Sequence, residues 1–269
     1  MEKLQAAIEK AREQRKTTTK AGATERATRG AGTPANWDAL EMISTRASAM
    51  MKKRVFEDTQ SQEASYFDLL RTKILQQCRE HGWRRVVVTS PTKACGKTTI
   101  CANLAASFSR QTDRRMMLID LDMRRPELSK VFGHRAEHSF SDVLSQKVAF
   151  ADQAVRLSEN VAISMNQTPA PNPSKLILQD STGGIIDQIE REYAPDIMIF
   201  DTPPVLVTDD TLAFLKHADC ALIVAAAETT TTDQIDKCEK EVAENANVMG
   251  VVLNKCLYND EAYGYDYKY

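Results

Sequence analysis

One segment limits what this chain can fold into more than any other: Arg85-Val-Val-Val-Thr-Ser90 runs directly into Pro-Thr-Lys-Ala-Cys-Gly-Lys-Thr-Thr99. A short β-branched run without polar alternation predicts a strand buried on both faces. A Gly-Lys-Thr turn that follows a strand and opens a helix is the context of a phosphate-binding loop. There, successive backbone N–H groups and a helix N-terminus form a concave anion site. Ala94, Cys95, Gly96, Lys97, Thr98 and Thr99 would line it. Lys97 would reach the β- and γ-phosphates, and the Thr98 hydroxyl would bind Mg²⁺. The match is incomplete, because Pro91 stands where GxxxxGK[ST] has its first glycine and only Gly96 remains in the loop. Taken alone, the string could also be a chance GKT in a strand-to-helix turn.

The surroundings repeat the strand–helix alternation. Tyr66, Leu69, Leu70 and Ile74 recur at helical spacing toward Cys78. Further strands are expected over 116–120, 161–165, 197–201, 221–225 and 248–254. Helices are expected over 98–110, 184–192, 209–216 and 233–245. Strands alternating with helices mean βαβ units, so the expected class is α/β with a mostly parallel central sheet flanked by helices. Such sheets bind ligands at the carboxyl ends of their strands.

Two of those ends are acidic. Leu118-Ile-Asp-Leu-Asp-Met-Arg124 closes one strand with Asp120 and Asp122, which alternation places on one side. Ile197-Met-Ile-Phe-Asp-Thr-Pro-Pro204 closes another with Asp201, and the double proline stops the strand. Hard carboxylate oxygens suit Mg²⁺ with retained waters. A single strand-end Asp is often only a cap, but three beside a GKT loop form a constellation for Mg-nucleotide chemistry, with Thr98, Asp122 and Asp201 as metal ligands. Asn254 ends the last strand, in Val251-Val-Leu-Asn-Lys-Cys-Leu257. It either hydrogen-bonds a nucleobase or caps the strand. Leu257 stands where guanine-reading NKxD sites have Asp, so adenine is the expected base.

Composition closes other routes. Lys and Arg number 35 against 37 Asp and Glu, so no global basic field argues for nucleic acid. Six scattered cysteines lack a CxxC spacing, which favours neither zinc nor a disulfide framework and fits a reducing compartment. No apolar run approaches the ~18–20 residues of a membrane span, and the first twenty residues do not read as a signal peptide. The expected organisation is an extension over 1–62, a nucleotide-binding domain over 63–257 and a tail over 258–269. The extension carries 12 Lys and Arg against 8 Asp and Glu, with a short helix expected over 2–15 and a linker over 17–35. Trp37, Leu40, Met42 and Ile43 either dock on the domain or pack nowhere.

The segments GKTT (96–99), LIDLDMRRP (118–126), PNPSKL (171–176), FDTPPVLVTDD (200–210) and GVVLNK (250–255) occur in family order. Together they resemble the bacterial tyrosine kinases, the cytoplasmic kinases of capsule and exopolysaccharide export. The tail strengthens the likeness: Tyr258, Tyr263, Tyr265, Tyr267 and Tyr269 are five of the chain's seven tyrosines. The resemblance implies a P-loop ATPase fold, ATP and Mg²⁺, and autophosphorylation of that cluster. It assigns phosphate and metal to Lys97 and Thr98, metal organisation to Asp122 and Asp201, and the acceptor's base to Asp120. It also implies self-association and a membrane-embedded chain-length regulator, a polysaccharide co-polymerase on a separate polypeptide. That partner would hold the protein at the inner face of the cell membrane. A ParA/MinD-like switch ATPase and a non-catalytic adaptor are the competing readings. Two departures stand out. Ala94 occupies a frequent glycine position, and Ser65, Asp68 and Arg71 replace an ExxRxxR motif used for ring formation. Arg124 and Arg125 could contact phosphate or a neighbouring subunit, or merely begin a solvated helix.

Overall fold

The computed structural model describes residues 35–45, 50, 52, 54–56 and 61–256. The expected helix over 2–15, nearly all of the linker, and the tail tyrosines Tyr258, Tyr263, Tyr265, Tyr267 and Tyr269 lie outside the described residues. In chain order the elements begin with α1 (Ala35–Ala39), β1 (Glu41–Met42), α2 (Gln62–His81), β2 (Arg85–Thr89), α3 (Lys97–Ser109) and β3 (Met116–Asp120). There follow α4 (Leu128–Phe132), α5 (Phe140–Leu144), α6 (Phe150–Gln153), β4 (Val155–Ser158), β5 (Val161–Ser164), α7 (Pro173–Leu178) and α8 (Asp180–Tyr193). The chain continues through β6 (Ile197–Asp201), α9 (Asp210–Leu215), β7 (Cys220–Ala226), α10 (Thr232–Ala243) and β8 (Asn247–Asn254).

The eight strands form one sheet in the order β1-β4-β5-β3-β6-β2-β7-β8. Every neighbouring pair is parallel except β4 with β5. The mostly apolar central strands behave as expected: every residue of β2, β3, β6 and β7 is buried. Alternation sorts their side chains. Val86, Val88, Met116, Leu118, Ile197 and Ile199 meet Ile74, Ile100, Leu104 and Phe108 of α2 and α3. Val87, Met117, Ile119, Met198 and Phe200 meet Ile186, Ile189, Cys238 and Val242 of α8 and α10. Continuing that period two, Asp120 and Asp201 fall on the face of α3, the helix that the phosphate loop opens.

Helix α2 begins at Ser61, whose side chain accepts from the Ala64 N–H, and ends on left-handed Gly82 (φ 71°). The sequence pattern did not reveal β1, β4 or the short helices α4 to α7, each six residues or fewer, too short to show a period. Arg71, the surviving motif arginine, is held within the chain: Nη1 donates to Asp68 Oδ1 (3.1 Å) and Ser107 Oγ (2.9 Å).

Of the two options for the Trp37–Ile43 segment, docking is the one observed. Trp37 is fully buried and its Nε1 donates to the Glu159 carbonyl at 2.8 Å. The Arg115 guanidinium lies 5.4 Å from the indole centroid. Leu40 is buried, β1 pairs with β4, and the Ile43 N–H reaches the Arg156 carbonyl at 2.9 Å. Met42 stays half exposed. At the far edge β8 is solvent-facing, with Leu253 59% and Val251 45% exposed.

Candidate active site

The loop between β2 and α3 owes its shape to two left-handed residues, Ala94 (φ 62°) and Gly96 (φ 94°). Alternating left-handed and right-handed residues is the geometry that turns successive N–H groups to one side as an anion nest. The loop is braced from several directions. Ser90 Oγ donates to the Thr92 carbonyl (2.6 Å), and the buried Cys95 thiol donates to the same carbonyl (3.3 Å). Asn254 Nδ2 donates to the Cys95 carbonyl at 2.9 Å, while its Oδ1 accepts from the Lys255 N–H at 2.8 Å. The end of β8 is thereby tied to the loop, a role beyond the cap or base contact expected of Asn254. Thr99 lies one turn into α3, its carbonyl accepting from Asn103 Nδ2.

Ala94 answers the question left by its substitution for glycine: its φ is positive. A left-handed non-glycine residue costs roughly 1–2 kcal/mol, and glycine loses about 0.5–1 kcal/mol of that through chain entropy. Ala94→Gly should therefore stabilise the protein by about 0.5–1 kcal/mol, read from urea melts. A lower unfolding midpoint would show that the loop tolerates Ala94 without strain.

Lys97, only 7% exposed, sits among the strand-end carboxylates. Thr98 Oγ1 donates to Asp201 Oδ2 at 2.6 Å, and Asp120 faces Asp201 in the β3–β6 ladder. Asp120 Oδ1 accepts from the Asp122 N–H (3.1 Å), and Asp122 Oδ1 from the Arg125 N–H (3.1 Å). Burial raises all three acids above the ordinary carboxylate range. Asp120 is pushed well up by burial, then by the charges of Asp201 and Asp122. Asp122 is raised by burial against the pull of Lys97. Asp201 is pushed up to about 6 by burial, opposed by Lys97 and the Thr98 hydroxyl.

A divalent cation suits this arrangement. Asp201 Oδ1 is buried without a hydrogen-bond partner, beside only the weak Cys101 thiol. Among the described residues no three His, Cys, Asp or Glu side chains form a protein-only cage. Mg²⁺ usually takes one or two carboxylates and keeps waters and phosphate oxygens, so that is no obstacle. The sign of the linkage is testable. Asp201 binds its proton more tightly folded than unfolded, so the metal-free protein has that stability in full below pH 4. It loses it as the pH rises from about 4 through about 6. Asp201→Asn should raise the melting temperature in Mg²⁺-free buffer at pH 7.5, and the difference should vanish near pH 4. An equal difference at both pH values would show that Asp201 does not titrate in this window.

Arg124 and Arg125 separate. Arg124 Nε donates to Asp210 Oδ2 (2.6 Å), and its Nη2 to Asp210 Oδ1 (3.0 Å) and Ser174 Oγ (2.8 Å). It fastens the β3 loop to α7 and α9. Arg125 stays exposed, its backbone serving Asp122. Sequence reasoning gave no role to Asp210, Ser174 or Asn166. The Asn166 amide donates to the Asp120 carbonyl at 2.8 Å. Its only signal was a polar residue at the end of an apolar strand.

Comparison with known proteins gives this geometry a lineage. Residues 86–263 match the family model described as CobQ/CobB/MinD/ParA nucleotide binding domain. The tyrosine-protein kinase wzc of Salmonella typhimurium is 32% identical over 192 residues, which cover 68% of this chain and 26% of that protein. The chain thus spans about a quarter of the first curated relatives it matches. The putative tyrosine-protein kinase CapB of Staphylococcus aureus is 25% identical over 84% of this chain and 99% of its own. The crystal structure of the chimerical protein CapA2B2 superposes with a TM-score of 0.68 at 25% identity, covering 81% of this chain and 95% of that one. The family match spans well over half the sequence and includes the loop, all three carboxylates and Asn254: the chain belongs to the CobQ/CobB/MinD/ParA nucleotide-binding family.

Proposed function

We propose that this chain is an ATP- and Mg²⁺-dependent protein tyrosine kinase that phosphorylates its own C-terminal cluster, Tyr258, Tyr263, Tyr265, Tyr267 and Tyr269. The observation that carries the reading is the convergence of Lys97 and Thr98 with Asp120, Asp122 and Asp201 on one side of the sheet. The likeness to tyrosine kinases along most of the chain supports the choice of acceptor. The loop N–H groups and Lys97 hold the β- and γ-phosphates, and Asn254 fixes the loop against β8, where the adenine would lie. Thr98, Asp122 and Asp201 would hold Mg²⁺, which would supply charge neutralisation on the transferring phosphoryl group. The tyrosine oxygen attacks the γ-phosphorus in line, the bond to the β-phosphate oxygen breaks, and ADP leaves. Asp120 accepts the hydroxyl proton late in transfer, since free tyrosine has a pKa near ~10. We place the protein beside a membrane-embedded regulator of polysaccharide chain length, on a separate chain, with self-association delivering one tail to another copy's site.

The test is intact mass and peptide mapping after incubation with Mg-ATP, wild type beside Asp120→Asn. Phosphate on the tail of the wild type and a strongly reduced amount in Asp120→Asn is the expected result. ATP hydrolysis without phosphotyrosine would move the protein to the switch-ATPase reading. Binding of the regulator's cytoplasmic segment with neither activity would make it an adaptor.

A further inference from the structure

The β3 end that bears Asp120 is held differently on its two sides. On the β6 side the ladder runs to its last rung: Asp120 pairs with Asp201, and the Leu121 N–H donates to the Asp201 carbonyl at 2.8 Å. On the β5 side the ladder stops one residue earlier, at Ile119 with Ser164. Beyond that point β5 has ended at Ser164, which leaves the Asp120 carbonyl's place in the ladder without a strand partner. Asn166 fills it. Its side chain is fully buried, and Nδ2 donates to the Asp120 carbonyl at 2.8 Å, as a backbone N–H would have done. Its Oδ1 accepts from the Ser141 N–H at 3.0 Å, which locks the amide from the α5 side. So anchored, the Asn166 backbone N–H faces Asp120 Oδ2 at 3.4 Å. The neighbouring Gln167 N–H is held by Ser139 Oγ at 2.9 Å, so the whole turn after β5 is pinned to the start of α5.

We infer that Asn166 is a positioning residue for phosphoryl transfer, a side-chain rung that fixes the aim of the Asp120 carboxylate toward the acceptor hydroxyl. The inference rests on the kinase reading above. A fully buried primary amide contributes little as packing and carries a desolvation cost unless its groups are used. Here each one that bonds holds the loop or the strand bearing Asp120. Displacing a catalytic group by about 1 Å can cost on the order of a hundredfold in rate. The Asn166 side chain touches only the Asp120 carbonyl and the Ser141 N–H and none of the reacting atoms in this scheme, so its effect must pass through Asp120.

That dependence supplies the test, made on the full chain with saturating Mg-ATP, reading both ADP release and tail phosphotyrosine. Asn166→Ala removes the rung. Asn166→Leu keeps the volume but cannot donate to the Asp120 carbonyl, so it carries the test if the alanine variant fails to fold. Each should lower kcat about 10- to 100-fold with KM for ATP changed less than threefold. In an Asp120→Asn background the same changes should cost less than twofold, because the group they aim is already gone. Wild-type-like kcat in both Asn166 variants overturns the inference, as does a loss that multiplies fully with Asp120→Asn. A loss appearing as weakened ATP binding overturns it too. Failure of the underlying reading looks different: Asp120→Asn itself would retain the wild-type rate, or wild type would form no phosphotyrosine.

Discussion

Lys97→Ala is expected to lower phosphoryl transfer about a thousandfold, equivalent to about 4 kcal/mol of transition-state stabilisation. Two losses combine. The ammonium is removed from the phosphoryl oxygens, where negative charge is carried through the transition state. It is also removed from the carboxylates, where it now opposes burial at Asp122 and Asp201. Without it both acids hold their protons more tightly, and a metal must displace those protons to bind. The variant should therefore need more Mg²⁺ for half-maximal nucleotide binding, and the deficit should shrink as pH rises above 7. Titrating a fluorescent ATP analogue at several Mg²⁺ concentrations reads the second effect, and tail phosphotyrosine the first. Retention of activity within threefold of wild type would remove Lys97 from the site.

Gly96→Ala should cost about 2–3 kcal/mol, combining a left-handed penalty of roughly 1–2 kcal/mol with a lost hydrogen bond of about 1 kcal/mol. The penalty arises because φ is 94° at Gly96. The bond is lost because an added Cβ would lie 2.2 Å from Asn254 Nδ2, so the amide must leave the Cys95 carbonyl. Nucleotide affinity should fall at least tenfold, since the loop either adopts a new path or pays to keep the old one. The double change with Asn254→Ala separates the causes. It removes the collision but not the backbone penalty, so the second substitution should cost less in the Gly96→Ala background than in wild type. Additive losses would mean that the collision is absorbed elsewhere. Calorimetric ATP titration of the four proteins measures the cycle.

The sequence was most legible where the physics is local. Met116–Asp120 and Ile197–Asp201 coincide with the strands expected from their apolar runs, each with its carboxylate at the end, while the shared face of Asp120 and Asp201 comes from the pairing of β3 with β6. The loop was legible because Gly-Lys-Thr between strand and helix stands with acidic strand ends, a combination with few other uses. What sequence could not show depends on distant partners. Asn166 meets Asp120 across 46 positions, and Arg124 meets Asp210 across 86. Neither pair leaves a periodic trace, so Arg124 read equally well as a phosphate ligand or a solvated helix start. The same holds for Trp37: a lone tryptophan among polar residues gives no pattern, and its place is set by a carbonyl 122 positions away. The conformation of Ala94 was likewise undecidable, because a side chain too large for a left-handed turn reveals strain only once the turn is seen.

The two flanks of the sheet differ in their capacity to recruit another strand. At one, the two-residue β1 covers β4, and Arg156 of β4 holds the carbonyls of Asp38 and Leu40 just before it. At the other, β8 offers eight consecutive residues whose outer side pairs with no strand among the described residues. Among the described residues the sheet thus ends in a two-residue edge at one flank and an eight-residue edge at the other, so an added strand has far more backbone to engage at β8.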